Sequence, residues 1–257
     1  MQCITNFVTV NDCANIILAA GGAPSMAHHK DEAAEAVCGA RALVCNMGAI
    51  ENVESMLLAG RQANALGIPV ILDPVAAGGT QMRREASARL LREVHFTAIR
   101  GNASEIRYLA GEHTLGSGVD VSGADVVGEG SLPRAVDMTR SLARRLGSVV
   151  ALSGVLDVIS DGERTMVLRN GCATMARITG SGCMLTALMG AYCAAAPEQP
   201  FEAVCAAMAA MGVCGEMAEV RRLQCGTGNA TFRTDLIDAV FNLTEKQLME
   251  GVRYEIF

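Results

Sequence analysis

The chain has 257 residues, 51% of them hydrophobic and 19% charged, with a formal net charge of −6; its isoelectric point is near 5.3 and its mean hydropathy +0.29. That length suits one large core or two modest domains. The acidic balance argues against nucleic acid or an anionic membrane as the main partner. Aromatic residues make up only 4% and Trp is absent, so the core must be built from Ala, Val, Ile, Leu, Met and Gly. Ten cysteines form no C-x-x-C pair and mostly sit inside apolar runs, where a free thiol behaves as a small hydrophobe. A reducing compartment, the cytoplasm, is expected. The opening MQCITNFVTV has neither a basic region nor a sustained apolar stretch, so no secretory signal is expected there. The longest apolar run, 182–196, stops at Pro197, short of a membrane span.

From the N-terminus the pattern alternates strand and helix. CITNFVTV (3–10) reads as a strand, after which Asn11 and Asp12 can cap a helix to Ala20 that Gly21 and Gly22 stop. PSMA (24–27) reads as a short strand, DEAAEAVCG (31–39) as a helix with acids in its first turn, and ALVCNMG (42–48) as a buried strand. Apolar residues at 50, 53, 57 and 66 mark a helix over 50–67. IPVILDPV (68–75) is a buried strand, 80–94 a helix with an arginine-rich outer face, 96–102 a strand and 103–111 a short helix. The Gly-, Ser- and Asp-rich stretch 112–131 reads as a surface excursion before a helix over 133–146. Three strands follow at 148–154, 156–162 and 164–171, the last two joined at Asp161-Gly162, a hairpin signal. Helices over 183–196, 200–221 and 229–243 and a short strand at 252–257 complete the chain. This order predicts one α/β domain, 1–257, with a mainly parallel central sheet flanked by helices on both faces and a short antiparallel edge.

In such a sheet ligands bind beyond the carboxyl ends of the strands. The residues falling there are 6–11, 26–29, 46–48, Asp73 with Pro74, 100–102, and Ser153 with Gly154. No G-x-x-x-x-G-K-[ST] occurs, and the only lysines are Lys30 and Lys246, which excludes a P-loop; GTGN (226–229) is too short for a dinucleotide fingerprint. TGSGC (179–183) differs because it opens a helix. Amides freed of Cβ crowding at Gly180 and Gly182 can face an anion with the helix dipole behind them. A tight strand-to-helix turn needing positive φ explains the same glycines equally well.

Asp73, ending an apolar run, can hold Mg²⁺ or serve as a turn residue before proline. Asn102 and Glu105 have capping-box spacing, which taken alone is the simpler reading. The convergence of two acids and a glycine-rich helix mouth at neighbouring strand ends favours a site. His28 and His29 lack a metal-ligand spacing with His95 or His113, and Met26 reads as core unless its strand end opens into an apolar pocket.

Six segments, ITNFVTVNDCAN (4–15), GGAPSMAHHKDE (21–32), LDPVAAG (72–78), RGNASEI (100–106), SGVLDVISDG (153–162) and TGSGCMLTALMGA (179–191), run in this order over essentially the whole chain. Together they resemble the hydroxyethylthiazole kinases of thiamine biosynthesis and salvage, members of the ribokinase-like superfamily with its N-x-x-E motif and glycine-rich anion hole. The resemblance implies a ribokinase-like fold and a homotrimer with active sites at subunit interfaces. It also implies ATP- and Mg²⁺-dependent phosphorylation of the primary hydroxyl of 4-methyl-5-(2-hydroxyethyl)thiazole.

Residue by residue, the resemblance implies that Met26 and the backbone of Gly180 contact the thiazole and that Arg100 and Ser153 bind ATP. Asp73 and Glu105 match acids near Mg²⁺ and the phosphates. Gly180 and Gly182 belong to the anion hole, and Cys183 stands where most kinases of the superfamily carry a catalytic aspartate. The chain departs from the family pattern at Ala23 and Ser25, carries Ser153 for a usual threonine, and begins at the first strand where relatives have a preceding helix. The helix N-terminus is expected to lower the Cys183 thiol pKa, with a modest catalytic share because a stabilised thiolate is a weaker base. Two readings from other classes stand beside this one. A ribokinase-like ATP- or ADP-dependent hydrate dehydratase is disfavoured by cysteine rather than aspartate at 183. A non-catalytic nucleotide sensor would more plausibly have lost one of the acids.

Overall fold

A computed structural model describes residues 1–112 and 127–257; most of the expected 112–131 excursion, and His113, lie outside the described residues. Eight strands lie side by side in chain order: β1 (Gln2–Ile4), β2 (Leu43–Asn46), β3 (Val70–Asp73), β4 (Ala98–Asn102), β5 (Val149–Ser153), β6 (Asp157–Ser160), β7 (Thr165–Leu168) and β8 (Tyr254–Ile256). β1 to β5 are parallel, and β5 to β8 form the antiparallel edge. The helices are α1 (Val10–Ala19), α2 (Ala33–Cys38), α3 (Val53–Ala65), α4 (Gln81–Glu93), α5 (Ala103–Ala110), α6 (Leu132–Leu146), α7 (Ser181–Ala195), α8 (Pro200–Cys225), α9 (Asn229–Asn242) and α10 (Glu245–Gly251).

Side-chain alternation along the strands divides the core in two. Val44, Ile71, Ala98 and Ala151 face one apolar cluster, shared with α1, α7, α8 and α9. Leu43, Cys45, Val70, Leu72, Ile99 and Leu152 face the other, shared with α2, α3, α4, α5 and α6. Each fully buried Val, Leu, Ile or Met contributes roughly 1.5–3 kcal/mol, and almost all of this comes from aliphatic side chains, as the composition requires. By length and composition α8 alone among the described helices could cross a membrane, yet 72% of its most apolar window is buried within the fold. Its apolarity on all sides suits a core helix. All ten cysteines are free.

Four expectations change. The strand expected at 3–10 ends at Ile4, because Asn6 Oδ1 accepts both the backbone N–H and the hydroxyl of Thr9, each at 3.1 Å, and turns the chain. Thr9 therefore takes the N-cap position of α1, while Asn11 and Asp12 lie inside the helix. PSMA is not a strand: Ser25 makes an isolated parallel bridge to Gln2, donating to Met1 O at 2.8 Å and accepting from Cys3 N at 2.9 Å. An additional helix, α10, follows α9, and its capping box between Thr244 and Gln247 is visible in the sequence as T-E-K-Q.

Candidate active site

Period-two alternation builds the site. Asn46, Asp73, Arg100 and Ser153 each stand two residues beyond Val44, Ile71, Ala98 and Ala151, so they continue the sheet face covered by α7. Asn46 and Asp73 are direct register partners. Asn46 Nδ2 donates to Asp73 Oδ2 at 3.0 Å, and Thr186 Oγ1, one turn into α7, donates to the same oxygen at 3.0 Å. Asp73 Oδ1 is buried with no partner among the described residues. Burial in this pocket pushes the Asp73 carboxyl up to about 6, opposed by the Arg100 guanidinium and reinforced by Glu105.

Arg100 connects the acid to the mouth of α7. Its guanidinium lies 3.8 Å from Asp73 Oδ2 and donates to Ser153 Oγ at 2.5 Å. It also rests against Gly182, where an added Cβ would fall 2.9 Å from Nη2 and 3.0 Å from Cζ. Gly180 has the positive φ, +82°, that starts α7. The turn reading of the glycines holds at Gly180, and Gly182 leaves room for the Arg100 side chain at the helix N-terminus. The first N–H groups of α7 have no intrahelical acceptor and sit at the positive end of its dipole.

Glu105 is committed to backbone. Its Oε2 accepts from Asn102 N at 2.8 Å, completing a capping box with Asn102 Oδ1 and Glu105 N at 2.9 Å. Its Oε1 accepts from Ala76 N at 2.9 Å, and Ala76, at φ 54°, is the only described non-glycine residue with positive φ. Glu105 thus holds a strained turn after β3 in place. Arg83 fastens the same loops by donating to Met47 O at 2.8 Å and Val75 O at 2.9 Å.

Cys183 sits near Asn6, whose Nδ2 lies 3.5 Å from the sulfur and 3.4 Å from Asn46 Oδ1. Contrary to the sequence expectation, the thiol pKa is raised. Burial dominates, the Asp73 charge adds to it, and hydrogen bonds from Thr9, Asn46 and Asn6 offset only part. Met26 is half-buried along the β1 side of the sheet and packs against the same apolar cluster as Cys183.

The structure thus brings Asp73, Arg100, Ser153, Gly182 and Cys183 together, with Glu105 and Gly180 supporting them. Sequence reasoning placed Asn6 and Asn46 at strand ends without giving them a role. It missed Thr186, whose signal is its position four residues after Gly182, on the same helix face.

Among the described residues no group of three His, Cys, Asp or Glu side chains forms a metal cage. The donors nevertheless suit a hard divalent cation of the Mg²⁺ type, which is characteristically held by one or two carboxylates completed by phosphates and water. Asp73 Oδ1 is an unpartnered buried anionic oxygen, and Glu105 retains lone pairs beyond its two backbone bonds.

The chain matches the hydroxyethylthiazole kinase family over residues 1–246. It is 44% identical over 256 residues to the hydroxyethylthiazole kinase of Clostridium acetobutylicum, covering 99% of this chain and 93% of that one. Identity to the Methanocella arvoryzae hydroxyethylthiazole kinase is also 44%, covering 97% and 90%. The solved hydroxyethylthiazole kinase structure from Pyrococcus horikoshii superposes with a TM-score of 0.86 at 33% identity, covering 100% of this chain and 92% of that one. An ADP complex of Bacillus subtilis pyridoxal kinase, at 17% identity and a TM-score of 0.63, shares the fold alone. On this match of sequence and fold, the chain belongs to the hydroxyethylthiazole kinase family.

Proposed function

We propose that the chain transfers the γ-phosphoryl group of ATP to the primary hydroxyl of 4-methyl-5-(2-hydroxyethyl)thiazole, with Mg²⁺ as cofactor, and that residues 1–257 act as one domain. The observation that carries this reading is the junction of Asp73, Arg100 and the α7 N-terminus, tied by Thr186 and by the close approach of Arg100 to Gly182.

Phosphoryl transfer passes through a loose transition state with charge on the equatorial oxygens, so catalysis is mostly positioning and charge stabilisation. The amides at 180–183 and the Arg100 guanidinium supply positive character without a lysine, and Ser153 orients Arg100. Asp73, with Glu105 beside it, would hold Mg²⁺, which when bound neutralises phosphate charge. Met26 and the Gly180 backbone would contact the thiazole. Cys183, in its thiolate form, would accept the hydroxyl proton late in the transfer. Its raised pKa makes the thiolate scarce at neutral pH, which limits the thiol to a modest share.

Incubation with ATP, Mg²⁺ and the thiazole alcohol, followed by mass measurement, should give the alcohol plus one phosphoryl group. ATP hydrolysis without that product would overturn the reading.

The same reading makes the protein a cytoplasmic homotrimer with sites at subunit interfaces. Ten free thiols support a reducing compartment. Phe7, 85% exposed directly after Asn6, supports apolar association. Light scattering should return three times the monomer mass, and an active, stable monomer would refute the trimer.

A further inference from the structure

We infer that Asn46 is a positioning residue for the phosphoryl transfer proposed above: one buried carboxamide sets both the free oxygen of Asp73 and the amide of Asn6 beside Cys183. The inference rests on that functional reading.

The orientation of the Asn46 amide is fixed by backbone. Its Oδ1 accepts Gly48 N–H at 2.8 Å, so its Nδ2 must face the carboxylate, where it meets Asp73 Oδ2 at 3.0 Å. The flipped amide would set donor against donor at Gly48 and acceptor against acceptor at Asp73. Asn6 is oriented the same way: its Oδ1 takes the N–H and the hydroxyl of Thr9. Its Nδ2 is thereby left to Asn46 Oδ1 and Cys183 Sγ. Gly48 is the residue that permits this crowding, since a Cβ there would lie 2.6 Å from Asn46 Oδ1 and 2.7 Å from Asn6 Nδ2.

Two consequences follow for the reaction. Asp73 Oδ2 is saturated by Asn46 and Thr186, which singles out Oδ1 as the oxygen left for a cation. The Asn6 N–H, held in line by Asn46, donates to the sulfur and stabilises the thiolate, which raises the fraction able to accept the hydroxyl proton. Neither amide exchanges protons with the thiol, so the chain from Asp73 to Cys183 fixes geometry rather than relaying protons. Other ionisable groups facing Cys183 are Asp73 from β3, Cys3 from β1 and Cys13 from α1, with Arg100 against the neighbouring Gly182.

The test compares wild type, Asn6→Ala, Asn46→Ala and the double variant in their nucleotide-free form. Carbamidomethylation of Cys183 by iodoacetamide at one fixed pH is followed by peptide mass spectrometry, with the exposed Cys38 and Cys225 as internal controls. Each single substitution should slow Cys183 by about three- to tenfold, the value of one hydrogen bond, with the two controls unchanged. Asn46 also bonds Cys183 directly, so the double variant should be slower than either single but by less than the product of their effects, because part of the Asn46 effect passes through Asn6. In turnover, Asn46→Ala should lower kcat more than it raises either KM.

Wild-type alkylation in Asn46→Ala, or a double variant slowed by the product of the two single effects, would overturn the inference. If Asn46→Ala fails to fold by circular dichroism, Asn46→Leu, close in volume, undergoes the same comparison. Alkylation needs no turnover, so wild-type protein that phosphorylates no thiazole alcohol would refute the functional reading without altering this measurement.

Discussion

Replacing Gly182 by alanine tests the contact between Arg100 and the mouth of α7. Gly182 lies outside the left-handed region, so the backbone accepts alanine and the helix gains up to about 1 kcal/mol of propensity. The obstacle is the Arg100 guanidinium, 2.9 Å from the new Cβ at Nη2, 3.0 Å at Cζ and nearer still at Nη1. It must leave its places beside Ser153 Oγ at 2.5 Å and Asp73 Oδ2 at 3.8 Å. Because it ends a flexible side chain, it can do so at little cost, and stability should change by less than about 1 kcal/mol. Function should not escape so lightly. Losing one charged hydrogen bond to phosphate is worth roughly 1.5–3 kcal/mol, or about ten- to a hundredfold in kcat/KM for ATP. Gly182→Val should cost more, since its branched side chain also crowds the amides. The assay is steady-state kinetics with ATP varied, beside thermal unfolding of the same preparations. Unchanged kcat/KM in Gly182→Ala would show that Arg100 does not act from this position. A loss of several kcal/mol of stability would show that the guanidinium cannot be displaced.

Cys183→Ser should reduce single-turnover rate by about ten- to a hundredfold, at or below the lower reach of a committed general base, and Cys183→Asp should stay active; a dead Cys183→Ser beside an active Gly182→Val would make the thiol the essential group. Gly180→Ala should lower stability by roughly 1–3 kcal/mol in chemical denaturation, because φ is +82° and the new Cβ would meet Thr9 Cγ2 at 2.5 Å; an unfolding midpoint equal to wild type would contradict this. For Asp73 the folded pKa is raised from 3.8 to about 6, so its stabilising contribution is fully present below 3.8 and lost as pH rises through about 6. Asp73→Asn should therefore be the more stable protein at neutral pH, by at most about 3 kcal/mol, while Mg²⁺-dependent turnover collapses. Thermal unfolding in EDTA should show this advantage growing between about pH 4 and pH 7, and a pH-independent difference would refute the assignment.

Much of the fold was legible because strands and helices alternate with clear stops, as at Gly21, Gly67, Gly111 and Gly147, all with positive φ. Local polar chemistry caused the errors. At 5–9 the β-branched residues Thr5, Val8 and Thr9 suggest a strand, yet the Asn6 side chain captures Thr9 and ends it. At 24–27 only one bridge to β1 forms. The candidate acids and glycines were legible from strand ends and motif resemblance. Thr186 and the linking role of Asn46 depend on register and helix phase, which no single stretch displays. The raised Cys183 pKa was also out of reach, since it depends on how deeply three elements bury the sulfur.

That burial explains why the site is assembled from neutral amides. Among the described residues, Asp73 Oδ1 and Arg100 Nε are buried without partners, arrangements that cost stability in any protein. A further full charge beside Asp73, Arg100 and Glu105 would deepen the penalty, whereas Asn6 and Asn46 supply directed hydrogen bonds without one. The only close cation among the described residues, Arg100, stays 3.8 Å from Asp73 Oδ2 and bonds Ser153 instead, so the carboxylate is not neutralised outright. An acid kept anionic near neutral pH, yet short of partners at one oxygen, retains attraction for an incoming cation. The same unmet demand that weakens the free protein therefore favours the metal–nucleotide complex in the proposed reaction.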